Sequence, residues 1–415
     1  MFKNYLLTAY KVLMRRKLFT FINLLCIVLT LVVLMVVTAL LETSFFPGGA
    51  EAKSSRYLQI VMLRSESPKG NAVRHTPLGF KLIDKYLKPM QSIESLSAFT
   101  TTNGVSVYQD GRVSELRMRR TDAQYWKILE FTVLEGRVPT LEDEQLGRNV
   151  AVINKTTARK LFGAGPAVGR TISPGGQALQ VIGVVDDVDE LHTNAFSEIW
   201  APVTTFPSTD YRRQMAGDFQ VILLARSKAD LRQVREEVKM IAASVEFDDP
   251  KAWSRAVFWA DGKLDAFARQ TIGDAHTEDS GATLLMTIIV VMMLLFMLLP
   301  ALNLVNLNTG RILERASEIG VRKAFGATSS QLVAQLVIEN VLLCLAGGVV
   351  GLLCTNVALM WLESLELIPY LNVSVNYAVM AWGLLITLVF GLLSGVLPAW
   401  KMSRLDPVHA LKGAI

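Results

Sequence analysis

The sequence predicts a membrane protein built from four transmembrane α-helices and a large extracytoplasmic α+β domain. Three observations predict it. Of the 415 residues 51% are hydrophobic, mean hydropathy is +0.35, and the apolar excess is gathered into a few long runs. Leu18–Leu41 is 24 residues without a charge, enough for a helix at 1.5 Å per residue to cross a hydrocarbon core of about 30 Å with room for tilt. The basic residues collect beside such runs, where a positive bias marks the cytoplasmic side.

In chain order, residues 1–17 carry Lys3, Lys11, Arg15, Arg16 and Lys17 and no acid. Phe2, Leu6, Ala9 and Leu13 recur at helical spacing, which reads as a cytoplasmic interfacial helix or as a plain topogenic flank. Residues 18–41 are the first span. The run is too long for a signal-peptide core and ends without a small-x-small cleavage site, so it is read as retained.

Residues 42–280 form the extracytoplasmic domain. Tyr57–Arg64 is strand-like. Val105–Arg119 alternates around Asp110-Gly111, a hairpin signal. Asn149–Ile153 reads as a strand feeding a helix over Lys155–Phe162. Ala178–Val185 and Phe219–Ala225 are further strands. Over Asp230–Ser244, Leu231, Val234, Val238 and Ile241 share one helical face. The domain holds 30 basic and 31 acidic residues, and this near-neutrality argues against a nucleic-acid partner. Cys26, Cys344 and Cys354 all fall in spans, so a domain of 239 residues folds on its own core without disulfides, and no metal framework is visible.

Residues 281–308 are the second span. Pro300 permits a kink, and Asn303 and Asn306, one turn apart, are suited to hydrogen bonds between helices. Residues 309–328 form a cytoplasmic segment. The third span, 329–362, carries Gln331, Gln335 and Glu339 at i,i+4 spacing. A carboxylate costs about 2.5–3.5 kcal/mol at mid-bilayer, so Glu339 is expected to face protein or to lie near the cytoplasmic interface. Gly347 and Gly351, and later Gly391 and Gly395, provide smooth faces for close helix packing, although glycine is also simply common in spans. The loop 363–376 has Glu363 and Glu366 and no Lys or Arg, so it is extracytoplasmic. The fourth span covers 377–398. The tail 399–415 has Lys401, Arg404 and Lys412 against Asp406, so both termini are cytoplasmic.

The stretch Arg311–Ala327 is charged and lies between two apolar runs, with Arg311, Arg315, Arg322 and Lys323 outnumbering Glu314 and Glu318. Glu318 and Arg322 are spaced i,i+4 with the acid first, the favourable order. Gly320 is a possible break, and Gly326 suits the left-handed residue that ends a helix. Thr328 and Gln331 then have capping-box spacing for the next helix. Ile319, Val321 and Phe325 stand out as apolar knobs. The segment is either a docking element under the membrane or a solvated loop that only sets topology.

Two motifs imitate function. Gly163–Thr171 has the look of a phosphate loop, but its first glycine is misplaced by one and Arg170 replaces the lysine, so a turn is the better reading. Asp186, Asp187, Asp189 and Glu190 form an acidic cluster without the ligand spacing or glycine of an EF-hand, so it reads as a solvated strand end. No Ser/His/Asp or HExxH constellation exists, and a non-catalytic chain is expected.

The run Glu318-Ile319-Gly320-Val321-Arg322-Lys323-Ala324-Phe325-Gly326-Ala327 resembles the signature that follows the second span of MacB/FtsX-type ABC permeases. The stretches Gly395–Lys412 and Leu13–Asn23 are similar to that family's C-terminal run and its lead into span one. Family resemblance implies that the extracytoplasmic domain has two small lobes, with landmarks at Tyr125-Trp126, Leu134–Arg137, Leu161–Gly163 and Val168–Arg170. It further implies an inner (cytoplasmic) membrane location, a second permease chain that is either a copy or a paralogue, and a separate ABC ATPase docked on the 309–328 segment. A periplasmic adaptor and an outer-membrane channel are further partners of the family. Some relatives carry the ATPase fused in front of span one. Here 17 residues precede it, so ATP and Mg are expected on a partner and no cofactor on this chain.

Three functions compete. The first is an ATP-driven permease that exports or extracts a peptide, lipoprotein, antibiotic or siderophore. The second is an FtsX-like regulator that relays ATPase state to cell-wall hydrolases; the size of the extracytoplasmic domain favours the first. The third, a ligand sensor with no ATPase, fits poorly with the docking signature.

Overall fold

The computed structural model describes residues 14, 15, 17–109, 111–273, 277–314, 328–373, 376–386, 388, 389 and 392. The chain divides into two compact units: residues 42–286 with 366–372, and the remaining segments, which include the long apolar helices.

A helix α1 (Lys17–Phe45) leads to the first of these units. There β1 (Tyr57–Ile60), β2 (Leu63–Glu66) and β3 (Val73–Thr76) precede the helical turn α2 (Phe80–Leu82), then β4 (Ile93–Thr100), β5 (Asn103–Gln109) and β6 (Arg112–Thr121). Next come α3 (Tyr125–Ile128), β7 (Val133–Gly136), α4 (Leu141–Gln145), β8 (Val150–Asn154), α5 (Lys155–Phe162), β9 (Thr171–Ile172), β10 (Leu179–Val185) and β11 (Ile199–Pro202). The unit closes with β12 (Phe219–Ala225), α6 (Leu231–Ser244), β13 (Arg255–Val257) and α7 (Lys263–Thr271), and the chain continues into α8 (Ala282–Glu314) and α9 (Ser329–Ser364).

Ten strands make one mixed sheet in the order β1-β12-β4-β6-β11-β8-β10-β7, with β5 on β6 and β9 on β10; β13-β2-β3 make a small antiparallel sheet. Alternation across the strands builds the core. Val221, Leu223 and Ala225 of β12 pack with Val234 and Val238 of α6. Ile222 and Leu224 point to the opposite face and pack with Tyr57, Tyr125 and Trp200. Farther along the sheet, Leu116 and Met118 of β6 join Ala151, Ile153 and Leu161 in another cluster. Strands β1, β6, β8, β11 and β12, which contribute residues to these three clusters, all belong to one continuous sheet.

Local signals account for several elements. The β5–β6 hairpin closes with Gln109 opposite Arg112, and Gly111 at φ +73° supplies the conformation that side chains resist. Asn154 caps α5 by accepting from the Thr157 N–H at 3.0 Å. Gly136 has φ +69°, and a Cβ there would lie 2.1 Å from the Ile182 carbonyl, so only glycine fits where β7 meets β10. One expectation changes: Tyr57–Arg64 is not one strand. It breaks at Val61-Met62 because β1 pairs with β12 in the large sheet while β2 pairs with β3 and β13 in the small one.

Among the described residues, Thr20–Phe45 and Val337–Ser364 are long and apolar enough to cross a membrane, and Ala282–Leu298 and Tyr377–Ile386 are shorter apolar helices. A Cβ on Gly347 would meet Ile27, one on Gly351 would meet Leu31, and Thr355 reaches Met35 at 3.6 Å. The numbers rise together, so α1 and α9 pack in parallel. Gly383 faces Leu34 and Leu31, Leu384 faces Gly348, and Leu388 packs near Ile27, so the helix from Tyr377 runs antiparallel to both.

Candidate transmission site of the extracytoplasmic unit

Most of the residues read as an ATPase-docking segment lie outside the described residues. Glu314 is the last residue of α8, while Glu318, Ile319, Gly320, Arg322, Lys323, Phe325 and Gly326 lie outside the described residues, as do Gly391 and Gly395. The start of the following helix is described. The Thr328 hydroxyl accepts from the Gln331 N–H at 3.4 Å and the Gln331 side chain accepts from the Thr328 N–H at 3.1 Å, the reciprocal capping box. Pro300, Asn303 and Asn306 lie within α8, which is helical through the proline. Glu339 is buried beside Asn340 on α9. Gly347 and Gly351 form the notch that receives Ile27 and Leu31; a Cβ on Gly347 would come within 2.5 Å of the Ile27 Cγ2.

The most developed polar constellation lies in the extracytoplasmic unit, close to where the chain leaves α1. Glu51 is fully buried. Its carboxylate accepts from the Tyr57 hydroxyl at 2.9 Å, the Asn194 N–H at 2.9 Å and the Ala195 N–H at 3.1 Å. Lys263, the first residue of α7, places its Nζ 2.6 Å from the same carboxylate, with side-chain exposures of 5% and 0% for the pair. Burial, and then the adjacent Glu51 charge, push the Tyr57 hydroxyl well above its usual pKa. The Asn194 amide also donates to Gln59 at 2.6 Å. A buried charge this well supplied with donors is satisfied, and it ties three distant segments to one point: Gly49–Glu51, the loop around Asn194, and α7.

That loop is also held from other sides. Arg119 donates to the carbonyls of Thr193 and Asn194, and Tyr125 donates to the Asn194 carbonyl at 2.7 Å. Residues 366–372, which follow α9, pack against its far end. The Tyr370 hydroxyl donates to Glu198 at 2.6 Å and the Glu190 N–H donates to the Pro369 carbonyl at 3.2 Å. Burial and the Glu198 carboxylate raise the Tyr370 hydroxyl pKa. Tyr370 and Glu366 sit at φ 56° and 50°, strained for non-glycine residues. The 189–198 loop is thus a junction between the segment after α1, the segment before α8 and the segment after α9.

The acidic cluster belongs to the same junction. Asp187 accepts from the Thr156 N–H and hydroxyl at the start of α5, Asp186 pairs with Lys155 at 3.3 Å, and Glu190 pairs with Arg117. Asp189 accepts from the Leu191 N–H and contacts His192 Nδ1 at 2.8 Å. These carboxylates serve protein donors, and no group of three or more metal-ligating side chains occurs among the described residues. Sequence reading passed over Glu51, Lys263 and Asn194. The one available hint was a lone lysine opening an otherwise ordinary amphipathic helix.

The profile of the MacB-like periplasmic core domain matches residues 20–241, and that of the FtsX-like permease C-terminal region matches residues 290–407. An uncharacterized ABC transporter permease of Bacillus subtilis, YknZ, is 26% identical over 333 residues, covering 79% of this chain and 77% of that one. The macrolide export ATP-binding/permease protein MacB of Escherichia coli K12 is 27% identical over 292 residues, covering 69% of this chain. The match spans 42% of that MacB, less than half its length. The crystal structure of the YknZ extracellular domain aligns over 44% of this chain and 92% of its own at 18% identity, with a TM-score of 0.35.

Proposed function

This chain belongs to the MacB/FtsX-type family of ABC transporter permeases, and on that premise we propose that it transmits ATP-driven motion from a separate ATPase to its extracytoplasmic domain. The work done there is export or extraction of a substrate of the peptide, lipoprotein, antibiotic or siderophore class. The observation that carries the proposal is the buried junction at Glu51. A carboxylate that binds the segment after α1, the loop at 189–198 and the start of α7 couples displacements of those segments. Coupling of this kind needs rigid, contiguous contacts.

The helix directions support four membrane crossings. Parallel α1 and α9, with an antiparallel helix from Tyr377, fit an out, in, out, in path with both termini cytoplasmic. The packing of 366–372 onto the extracytoplasmic unit fits a loop on the same side as that unit. The partners proposed are an ABC ATPase carrying ATP and Mg, a second permease chain, and, for an export route, a periplasmic adaptor with an outer-membrane channel.

The docking role of 309–328 is tested by the double variant Glu318→Ala/Arg322→Ala. Membrane insertion is expected to stay intact while co-purification of the ATPase, or its stimulation, is lost. Undiminished co-purification contradicts the docking assignment.

A further inference from the structure

A polar cleft of 290 Å³ lies where the extracytoplasmic unit passes into α8, lined by Arg235 and Glu236 of α6, Lys239, Glu278, Asp279 and the first turn of α8. Both signs of charge line it. Arg235 uses one edge of its guanidinium on Asp265 at 2.9 Å, and Lys239 pairs with Glu278 at 2.5 Å. Each keeps further N–H donors for a ligand. On the acidic side, Asp279 spends one oxygen on the Gly281 N–H at 2.9 Å, and Glu236 is exposed. Beside the cleft the surface turns apolar. Phe46, Phe267 and Ile272 are exposed at 60%, 49% and 40%, and Phe267 stacks on Phe45, the last residue of α1, with centroids 5.3 Å apart. Phe46, just after α1, and Phe267 of α7 therefore present aromatic rings near the end of one apolar helix, the position at which rings settle in the interfacial layer of a bilayer.

We propose that this cleft binds the headgroup of an outer-leaflet phospholipid carrying both a phosphodiester and a primary ammonium. Arg235 and Lys239 meet the phosphate, for which such donors are suited. Glu236 and Asp279 receive the ammonium, whose three N–H groups a trimethylated amine lacks. Phe46, Phe267 and Ile272 rest against the acyl boundary. The proposal rests on reading α1 and α8 as membrane spans.

The test uses the full chain, delipidated and titrated with phosphatidylethanolamine, phosphatidylcholine or phosphatidylglycerol, with bound lipid counted by native mass spectrometry. Phosphatidylethanolamine is expected to be retained about tenfold better than phosphatidylcholine, the discount for losing one charge-assisted hydrogen bond. The variant Glu236→Gln/Asp279→Asn, changed at two exposed positions, is expected to erase that preference. Equal retention of the two lipids by the unaltered chain, or a preference surviving in the variant, overturns the proposal. A bimane probe on Phe267→Cys, in a chain with its three native cysteines replaced by alanine, is expected to be quenched by headgroup-spin-labelled lipid more than one on Tyr108→Cys. Equal quenching overturns it as well. Carbonate extraction of the same membranes reports separately on spanning, so a chain that strips off the bilayer refutes the spans and not the cleft chemistry.

Discussion

Glu51 and Lys263 illustrate how one buried pair specifies a joint. Their attraction repays desolvation only because the Tyr57 hydroxyl and two backbone N–H groups also serve the carboxylate. Lys263→Met leaves Glu51 buried without its cation and is expected to cost about 3–5 kcal/mol of stability. Adding Glu51→Gln, which removes the stranded charge, is expected to recover much of that loss; thermal unfolding of the full chain reads both. Equal instability of the single and double variants contradicts the pairing. Asp143 behaves differently. It accepts from Arg137 at 2.5 and 3.0 Å, from Arg148 at 2.9 Å and from the Thr140 N–H at 2.9 Å. The Arg137 guanidinium holds its carboxyl well below the usual carboxylate range. A folded pKa below the unfolded one stabilises above the unfolded value of about 3.9, and the stabilisation fades as pH falls below it. Asp143→Asn is therefore expected to lower stability at neutral pH and to flatten the acid limb below about pH 4 in a pH series of melting temperatures.

Elements whose signals are local were readable in the sequence. The β5–β6 hairpin follows from Gly111, α9 begins at the Thr328–Gln331 box, α5 covers Lys155–Phe162 and β12 covers Phe219–Ala225. What depends on distant partners was not readable. Asn194 meets Glu51 across 143 positions, and nothing near either residue announces the other. The split between β1 and β2 is likewise decided by which sheet each joins. Gly347 lies between these cases. Its spacing from Gly351 predicts a smooth face, but only packing names Ile27 as the neighbour. A Cβ at Gly347 would lie 2.5 Å from Ile27 Cγ2, so Gly347→Ala is expected to cost about 1–3 kcal/mol by overpacking. Ile27→Ala in the same chain is expected to relieve that cost. Resistance to detergent unfolding measures it, and no rescue by Ile27→Ala contradicts the contact.

At the scale of the whole molecule, the chain is a permease with a satisfied polar junction in its extracytoplasmic unit and a charged segment between apolar helices α8 and α9. The extracytoplasmic domain carries its own core clusters on one continuous sheet, so it is suited to move as a body. The 189–198 loop holds it to the segments that follow α1 and α9 and precede α8. The central claim is that nucleotide state on a partner reaches this junction. The most direct test places a single cysteine at Thr193, an exposed position of that loop, in a chain with Cys26, Cys344 and Cys354 replaced by alanine and reconstituted with its ATPase. Its labelling rate by a membrane-impermeant thiol reagent is compared in ATP and in ADP. The account predicts a nucleotide-dependent rate that disappears in Glu318→Ala/Arg322→Ala; an identical rate in both nucleotides contradicts it.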